Sequence, residues 1–166
     1  IMGFTHRHAF ASDTWKPARE LIRANAQPET LIYADMISRS GPPVPKHHIY
    51  VCGFPCQPFS TLHQHPKFFK EAAAKPFRAM LQHVADHRPQ VAIFENVMGV
   101  FLAPLRKRLY REFKRYLSGC VVLVLALSPT MFHGAVRRPR AFFLCFRQDA
   151  MAHKGEQGNA HVTKLI

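Results

Sequence analysis

His48-Ile49-Tyr50-Val51-Cys52-Gly53-Phe54-Pro55-Cys56-Gln57-Pro58-Phe59-Ser60 passes from strand to loop in one step. Its first half is β-branched, aromatic or apolar and ends at a glycine, which reads as a strand over 48–53. Pro55 and Pro58 then bracket Cys56, so neither a strand nor a helix continues through it. A thiol is thereby presented just beyond the carboxyl end of a strand. The same arrangement recurs outward from this stretch. The run 8–13 stops at Asp13, the run 30–35 at Asp35 and the run 90–95 at Glu95.

Helical patterns separate these runs. Ala18, Leu21, Ile22 and Ala26 keep helical spacing over 15–26, with Pro17 in the first turn, where its missing amide costs nothing. A second helix is predicted over 76–88 with Pro76 at its start. A third, over 105–117, carries Arg106, Lys107, Arg108, Arg111, Lys114 and Arg115 and reads as a solvated basic face. Further strands are predicted over 120–127 and 141–147. The long, Pro-containing stretch 54–75 and the stretch 128–139 read as loops. The polar residues 148–166 read as a disordered tail behind one domain of residues 1–147. Strands alternating with helices predict an α/β fold, a parallel sheet with helices on both faces. Ligands sit at the carboxyl ends of such strands, where Asp13, Asp35, Cys56 and Glu95 all fall.

Composition bounds the chemistry. Among 166 residues, 23 Lys and Arg face 10 Asp and Glu, a net charge of +13 that favours a polyanionic partner, nucleic acid above all. The longest apolar run, Cys120 to Leu127, is far short of the ~20 residues of a membrane-crossing helix. Four cysteines without a C-x-x-C pair exclude a zinc knuckle and give no metal site. Cys52, Cys120 and Cys145 lie in apolar runs and read as buried core thiols, and the setting reads as intracellular and reducing.

Three motifs occur in order. Gly53-Phe54-Pro55-Cys56-Gln57-Pro58-Phe59-Ser60 resembles the nucleophile motif of the C5-cytosine-specific DNA methyltransferase family. Phe94-Glu95-Asn96-Val97 is similar to that family's Glu-Asn-Val motif, and Arg138-Pro139-Arg140 to its Arg-x-Arg motif. The resemblance covers roughly residues 9–146. It implies a Rossmann-like S-adenosylmethionine-dependent methyltransferase sheet. It also implies transfer of a methyl group from S-adenosyl-L-methionine to carbon 5 of cytosine, with DNA, or alternatively tRNA, as partner. The compartment would be the nucleus in a eukaryote and otherwise the cytoplasm.

The chemistry asks for these residue types. Carbon 5 of cytosine is a poor nucleophile. A thiolate adding at carbon 6 makes carbon 5 enamine-like and able to attack an electrophilic methyl. Charge then grows on the ring, and a carboxylic acid near N3 relieves it. The resemblance assigns Cys56 as nucleophile and Glu95 as acid, with Asn96 fixing the turn that aims Glu95. Arg138 and Arg140 would hold the base carbonyl or a phosphate and favour the thiolate. It assigns Asp13 to the cofactor's ribose and Asp35 to its adenine, with Thr14 and Trp15 beside the adenine and Phe54 and Pro55 bordering the methionine end. Residues 61–75 fall where the family has a mobile catalytic loop. Asp13 and Asp35 also read as ordinary strand-end and capping acids.

The family's Gly-rich first strand has no counterpart here, which predicts a sheet with a gap and a place for a complementing chain. The family's target-recognition region is missing as well. Two readings therefore stand beside the enzyme: one half of a split enzyme, and a nucleic-acid-binding remnant without catalysis.

Overall fold

The computed structural model describes residues 5–55 and 71–151, with the side chains of 71–73 and 103–104 left aside. In chain order its elements are β1 (Phe10–Ser12), α1 (Lys16–Asn25), β2 (Leu31–Tyr33), β3 (Ile49–Gly53), α2 (Glu71–His87), β4 (Val91–Val97), α3 (Ala103–Tyr116), β5 (Cys120–Leu127), β6 (Arg140–Arg147) and α4 (Gln148–Met151). Short 3-10 turns span Met98–Phe101 and Pro129–Phe132. The chain divides between His47 and His48 into two units, each with its own sheet.

The first unit is small. β1 and β2 pair in parallel, Phe10 with Leu31 through Ser12 with Tyr33, and α1 connects them. Pro17 sits in the first turn of α1 as expected, but the apolar stripe does not reach a core: no residue of α1 is buried, and Leu21 is 67% exposed. Tyr33 is the buried anchor, its ring edge-on to Phe10 and its hydroxyl donating to the Pro42 carbonyl at 2.9 Å.

The second unit holds a four-stranded sheet in the order β3-β4-β6-β5. β3 and β4 run parallel, but β6 runs antiparallel to both β4 and β5. The sheet is therefore mixed, where alternation predicted a parallel one. The cause is local: residues 128–139 contain only a 3-10 turn, and a parallel return needs a crossover, usually a helix. The chain doubles back instead. Among the described residues β1 and β2 form one sheet and β3 to β6 another, and no strand pairs with both.

Register decides which side chains meet the helices. Tyr50, Ala92 and Cys145 align across the sheet, as do Phe94 and Phe143, and all five are buried. Phe113 of α3 packs on Phe94 and Phe143, with ring centroids 6.2 and 5.3 Å away, and Phe77 of α2 packs on Phe113. Met80, Leu81, Leu105 and Leu109 complete this layer, each at most 1% exposed. The opposite face is equally apolar yet open. It carries Ile49 and Val51, Val91 and Ile93, Phe142 and Leu144, then Leu123 and Leu125. None of these eight is buried, and Val51 is 67% exposed.

Several boundaries differ from expectation. Helix α2 begins at Glu71, so residues 71–75 are helical rather than loop and Pro76 lies inside the helix. As the sixth residue of the helix, Pro76 gives up the backbone bond to residue 72, a cost that a proline in the first turn would not have. The first four residues of the expected tail form α4, while 152–166 lie outside the described residues. Among the described cysteines only Cys145 is buried, its pKa pushed far up by burial and then by Cys120; Cys52 and Cys120 are half-buried. The basic side chains of α3 are exposed, as expected.

Phe143→Ala removes a ring packed on Phe113 and lowers stability by about 3–5 kcal/mol. Val51→Thr, on the open face, changes it by no more than about 0.5 kcal/mol. Urea denaturation of both variants checks the assignment of the two faces, and equal losses would contradict it.

Candidate active site

The carboxyl ends of β3 and β4 lie side by side, with Gly53 paired to Glu95. The approach is close: a Cβ at residue 53 would stand 3.3 Å from Glu95 Oε2, so a larger residue would have to displace the carboxylate. The carboxylate thus leans over the last residue of β3. Its other oxygen, Oε1, accepts from Arg140 Nε at 2.9 Å. Arg140 opens β6 opposite Val97, so the antiparallel strand delivers the guanidinium to this edge. The arginine's Nη1 also donates to the Pro139 carbonyl at 2.9 Å, which fixes the fork in place.

Asn96 points the other way and is only 1% exposed. Its Nδ2 donates to the Phe54 carbonyl at 2.9 Å, and its Oδ1 accepts from the Val97 amide at 2.9 Å. One buried amide side chain therefore satisfies the first backbone carbonyl beyond β3 and an amide at the end of β4. Buried polar groups need such partners. Phe54 is itself buried against Phe77, with ring centroids 5.2 Å apart, so the chain leaves β3 along one fixed path. Pro55 is exposed and Cys56 comes next in sequence, outside the described residues, as do residues 61–70 of the expected catalytic loop.

The structure brings Glu95, Phe54, Pro55 and Arg140 to one edge. Arg138 is exposed and has no hydrogen bond or ion pair among the described residues. Arg140, expected to hold the base or a phosphate, is engaged with Glu95 instead. Sequence reading assigned nothing to Gly53; its pairing with a carboxylate could have been found only from the β3–β4 register. The stretch 128–139, read simply as loop, presents exposed Met131, Phe132 and Val136 at the ends of β5 and β6. Gly134 closes its turn, since a Cβ there would fall 2.8 Å from the Pro129 carbonyl oxygen.

In the first unit, Asp13 and Asp35 follow the paired ends of β1 and β2 and so share an edge. Asp13 Oδ1 accepts from the Trp15 amide at 2.7 Å, and Arg19 Nη1 donates to the carbonyls of Asp13 and Thr14. Asp35 Oδ1 accepts from the Ile37 amide at 2.9 Å, and Oδ2 accepts from the Ser38 hydroxyl at 3.2 Å. Both acids thus make local turn contacts at strand ends, and neither caps a helix. Asp13 Oδ2 keeps no partner among the described residues, and Trp15 beside it is 68% exposed. The buried Ser12 hydroxyl likewise has no hydrogen-bond partner there. Among the described residues no group of three or more His, Cys, Asp or Glu could hold a metal ion, and no helix is long and apolar enough to cross a membrane.

The family model for C-5 cytosine-specific DNA methylase matches residues 2–165. The chain belongs to this family. A curated relative, the type II methyltransferase M.DsaV of Dactylococcopsis salina, is 33% identical over 66 residues, which is 40% of this chain and 18% of that protein. Among solved structures, a DNA modification methyltransferase encoded within an E. coli prophage superposes with a TM-score of 0.69 at 16% identity, over 90% of this chain and 42% of that one. The Entamoeba histolytica methyltransferase EhMeth gives a TM-score of 0.62 at 14% identity, over 82% and 44%. Schizosaccharomyces pombe Dnmt2 gives 0.60 at 18%, over 84% and 42%. These likenesses establish a methyltransferase fold. The methylase chain spans less than half the length of the solved relatives and under a fifth of the curated one.

Asn96→Ala leaves the Phe54 carbonyl and the Val97 amide without their partner and lowers stability by about 1–3 kcal/mol. Arg138→Ala, at an exposed guanidinium, changes it by no more than about 0.5 kcal/mol. Equilibrium denaturation separates the two, and a silent Asn96→Ala would refute the tie across the strand ends.

Proposed function

We propose that this chain carries the thiol and the acid of a DNA cytosine-C5 methyltransferase and transfers a methyl group through a covalent Cys56 adduct. The observation that carries the reading is the Asn96 tie. It holds the backbone two residues before Cys56 to the strand that presents Glu95.

In this reading Cys56 adds to carbon 6 of a cytosine turned out of the stack, and carbon 5 becomes the nucleophile. Glu95 faces the Watson–Crick edge with Oε2, the oxygen Arg140 leaves free, and manages the proton at N3. Arg140 holds that carboxylate in register, and Arg138 remains available for the base carbonyl or a backbone phosphate. Once carbon 5 is methylated, loss of its proton and of the thiolate restores the aromatic ring.

S-adenosylmethionine, the donor used generally in this family, supplies an electrophilic methyl when bound. The residues of the first unit fit its adenosine portion. Asp13 offers a free oxygen to ribose hydroxyls, the Ser12 hydroxyl lacks a partner, and Trp15 offers an exposed ring for an adenine. Asp35 can still accept, since each carboxylate oxygen has two lone pairs. The charge of +13 suits DNA, whose phosphates release counterions to Lys and Arg. The length missing against relatives leaves room for a complementing chain that supplies the rest of the sheet and the recognition of a target sequence.

Incubation with S-adenosylmethionine and an oligonucleotide carrying 5-fluorocytosine tests the reading, because fluorine at carbon 5 blocks the final elimination. The expected result is a denaturation-resistant adduct that Cys56→Ala abolishes and Glu95→Gln slows by about 10²-fold or more. A folded chain that binds the oligonucleotide and forms no adduct, alone or with a complementing relative fragment, would overturn it.

A further inference from the structure

The end of the sheet opposite Glu95 carries a second set of charged groups, which the proposed reaction does not use. β4 and β5 begin there, β6 ends there, and α2 and α3 finish above it. Roughly 20 Å of strand separates it from the candidate active site. A cavity of about 200 Å³ opens at this end, and its lining includes Arg88, Arg115, Arg147, Ser118 and Cys120.

Three guanidiniums around so small a space repel one another unless an anion offsets them. The chain supplies one carboxylate. Arg147 Nε donates to Asp149 Oδ1 at 2.5 Å, and Arg88 Nη2 donates to Oδ2 at 3.2 Å. The Arg147 hydrogen bond holds the Asp149 carboxyl below the usual range, so the internal anion is charged at neutral pH. Arg147 Nη1 also donates to the Arg88 carbonyl, so two of its nitrogens are held within the chain. Arg115 is different. Its guanidinium stands 5.4 Å from the Tyr116 ring centroid and has no hydrogen-bond acceptor or ion-pair partner among the described residues.

The backbone singles out the same place. Arg88 adopts φ +47°, in the left-handed region that favours glycine after a helix, and its amide donates to the Val84 carbonyl. A guanidinium occupies the position where a helix end ordinarily has no side chain, and that guanidinium lines the cavity. Burial pushes the Cys120 thiol up against the opposing pull of Arg88 and Arg147, so the thiol remains a neutral donor beside the Ser118 hydroxyl.

We propose that this cavity is a binding site for a phosphoryl group, with Arg115 and Arg88 as its ligands and Asp149 as an internal carboxylate that competes for the same guanidiniums. The cavity volume suits a phosphate ion or the terminal phosphate of a nucleotide, and a duplex could reach it only with a backbone phosphodiester across the mouth. The site is independent of the methyl-transfer reading, and its test does not depend on activity.

The test uses the full chain in phosphate-free buffer and titrates inorganic phosphate, followed by calorimetry and by thermal shift. The expected result is saturable binding, weakened at least tenfold by Arg115→Gln and tightened severalfold by Asp149→Asn, which removes the competitor. Lys107→Gln removes the same charge from the exposed face of α3 and leaves the affinity unchanged. Competition by a 5′-phosphorylated dinucleotide, and by its unphosphorylated counterpart, separates a terminal phosphate from a backbone phosphodiester as the natural source. Equal weakening by Arg115→Gln and Lys107→Gln would overturn the proposal, leaving general attraction to a basic chain. So would an Asp149→Asn variant that loses stability without gaining phosphate affinity, since the arginines would then serve only to close the helix ends.

Discussion

The hydrogen bond from Asn96 to the Phe54 carbonyl is the constraint on which the candidate site depends. Two parallel strands end together at Gly53 and Glu95, and beyond them the backbone has no ladder left to follow. A loop with two prolines cannot restore one, because proline donates no amide. Asn96 substitutes for the ladder: it is buried, its amide reaches across to β3, and its carbonyl oxygen takes the Val97 amide on its own strand. Glu95, the residue before it, presents a carboxylate at the strand end, and Asn96 holds the geometry. With Phe54 buried against Phe77, the backbone leading to Cys56 has few alternatives.

The rest of the second unit serves to place those strand ends. α3 presses Phe113 onto Phe94 and Phe143, and Phe77 of α2 packs on Phe113, so the helices cover one side of the sheet. Register in turn sets Gly53 under Glu95 and brings Arg140 within reach of the same carboxylate. The antiparallel course of β6 is essential to this, because only a strand running against β4 begins where β4 ends. The open face opposite the helices is the cost of half a sandwich. Apolar on every strand yet buried on none, it is a surface that a complete α/β domain covers with a second helical layer.

Much of this was legible from sequence. Apolar runs separated by helical patterns are enough to read the α/β class, and the ends of those runs at Asp13, Asp35 and Glu95 fall at or close to strand ends in each unit. What could not be read depends on contacts distant in sequence. The direction of β6 follows from a connection that lacks a crossover helix, and 128–139 looked like any loop. Arg140 looked like a ligand for substrate because an arginine's partner is invisible until the strands are aligned. Gly53 looked like a strand terminator, and its contact with Glu95 exists only in the register. The apolar stripe of α1 promised a core that the described residues do not provide, since periodicity reports which face is apolar and not what lies against it.

The proposed reaction requires residue 56 to reach Glu95 across the strand ends that Asn96 ties together. The most direct measurement is a distance. A Glu95→Cys variant treated with a thiol-specific reagent no longer than a pyrimidine ring should be bridged from residue 56 to residue 95, as mapped by mass spectrometry. The bridge should be lost when Asn96→Ala is added. Failure to bridge 56 to 95, or a bridge indifferent to Asn96→Ala, would contradict the account.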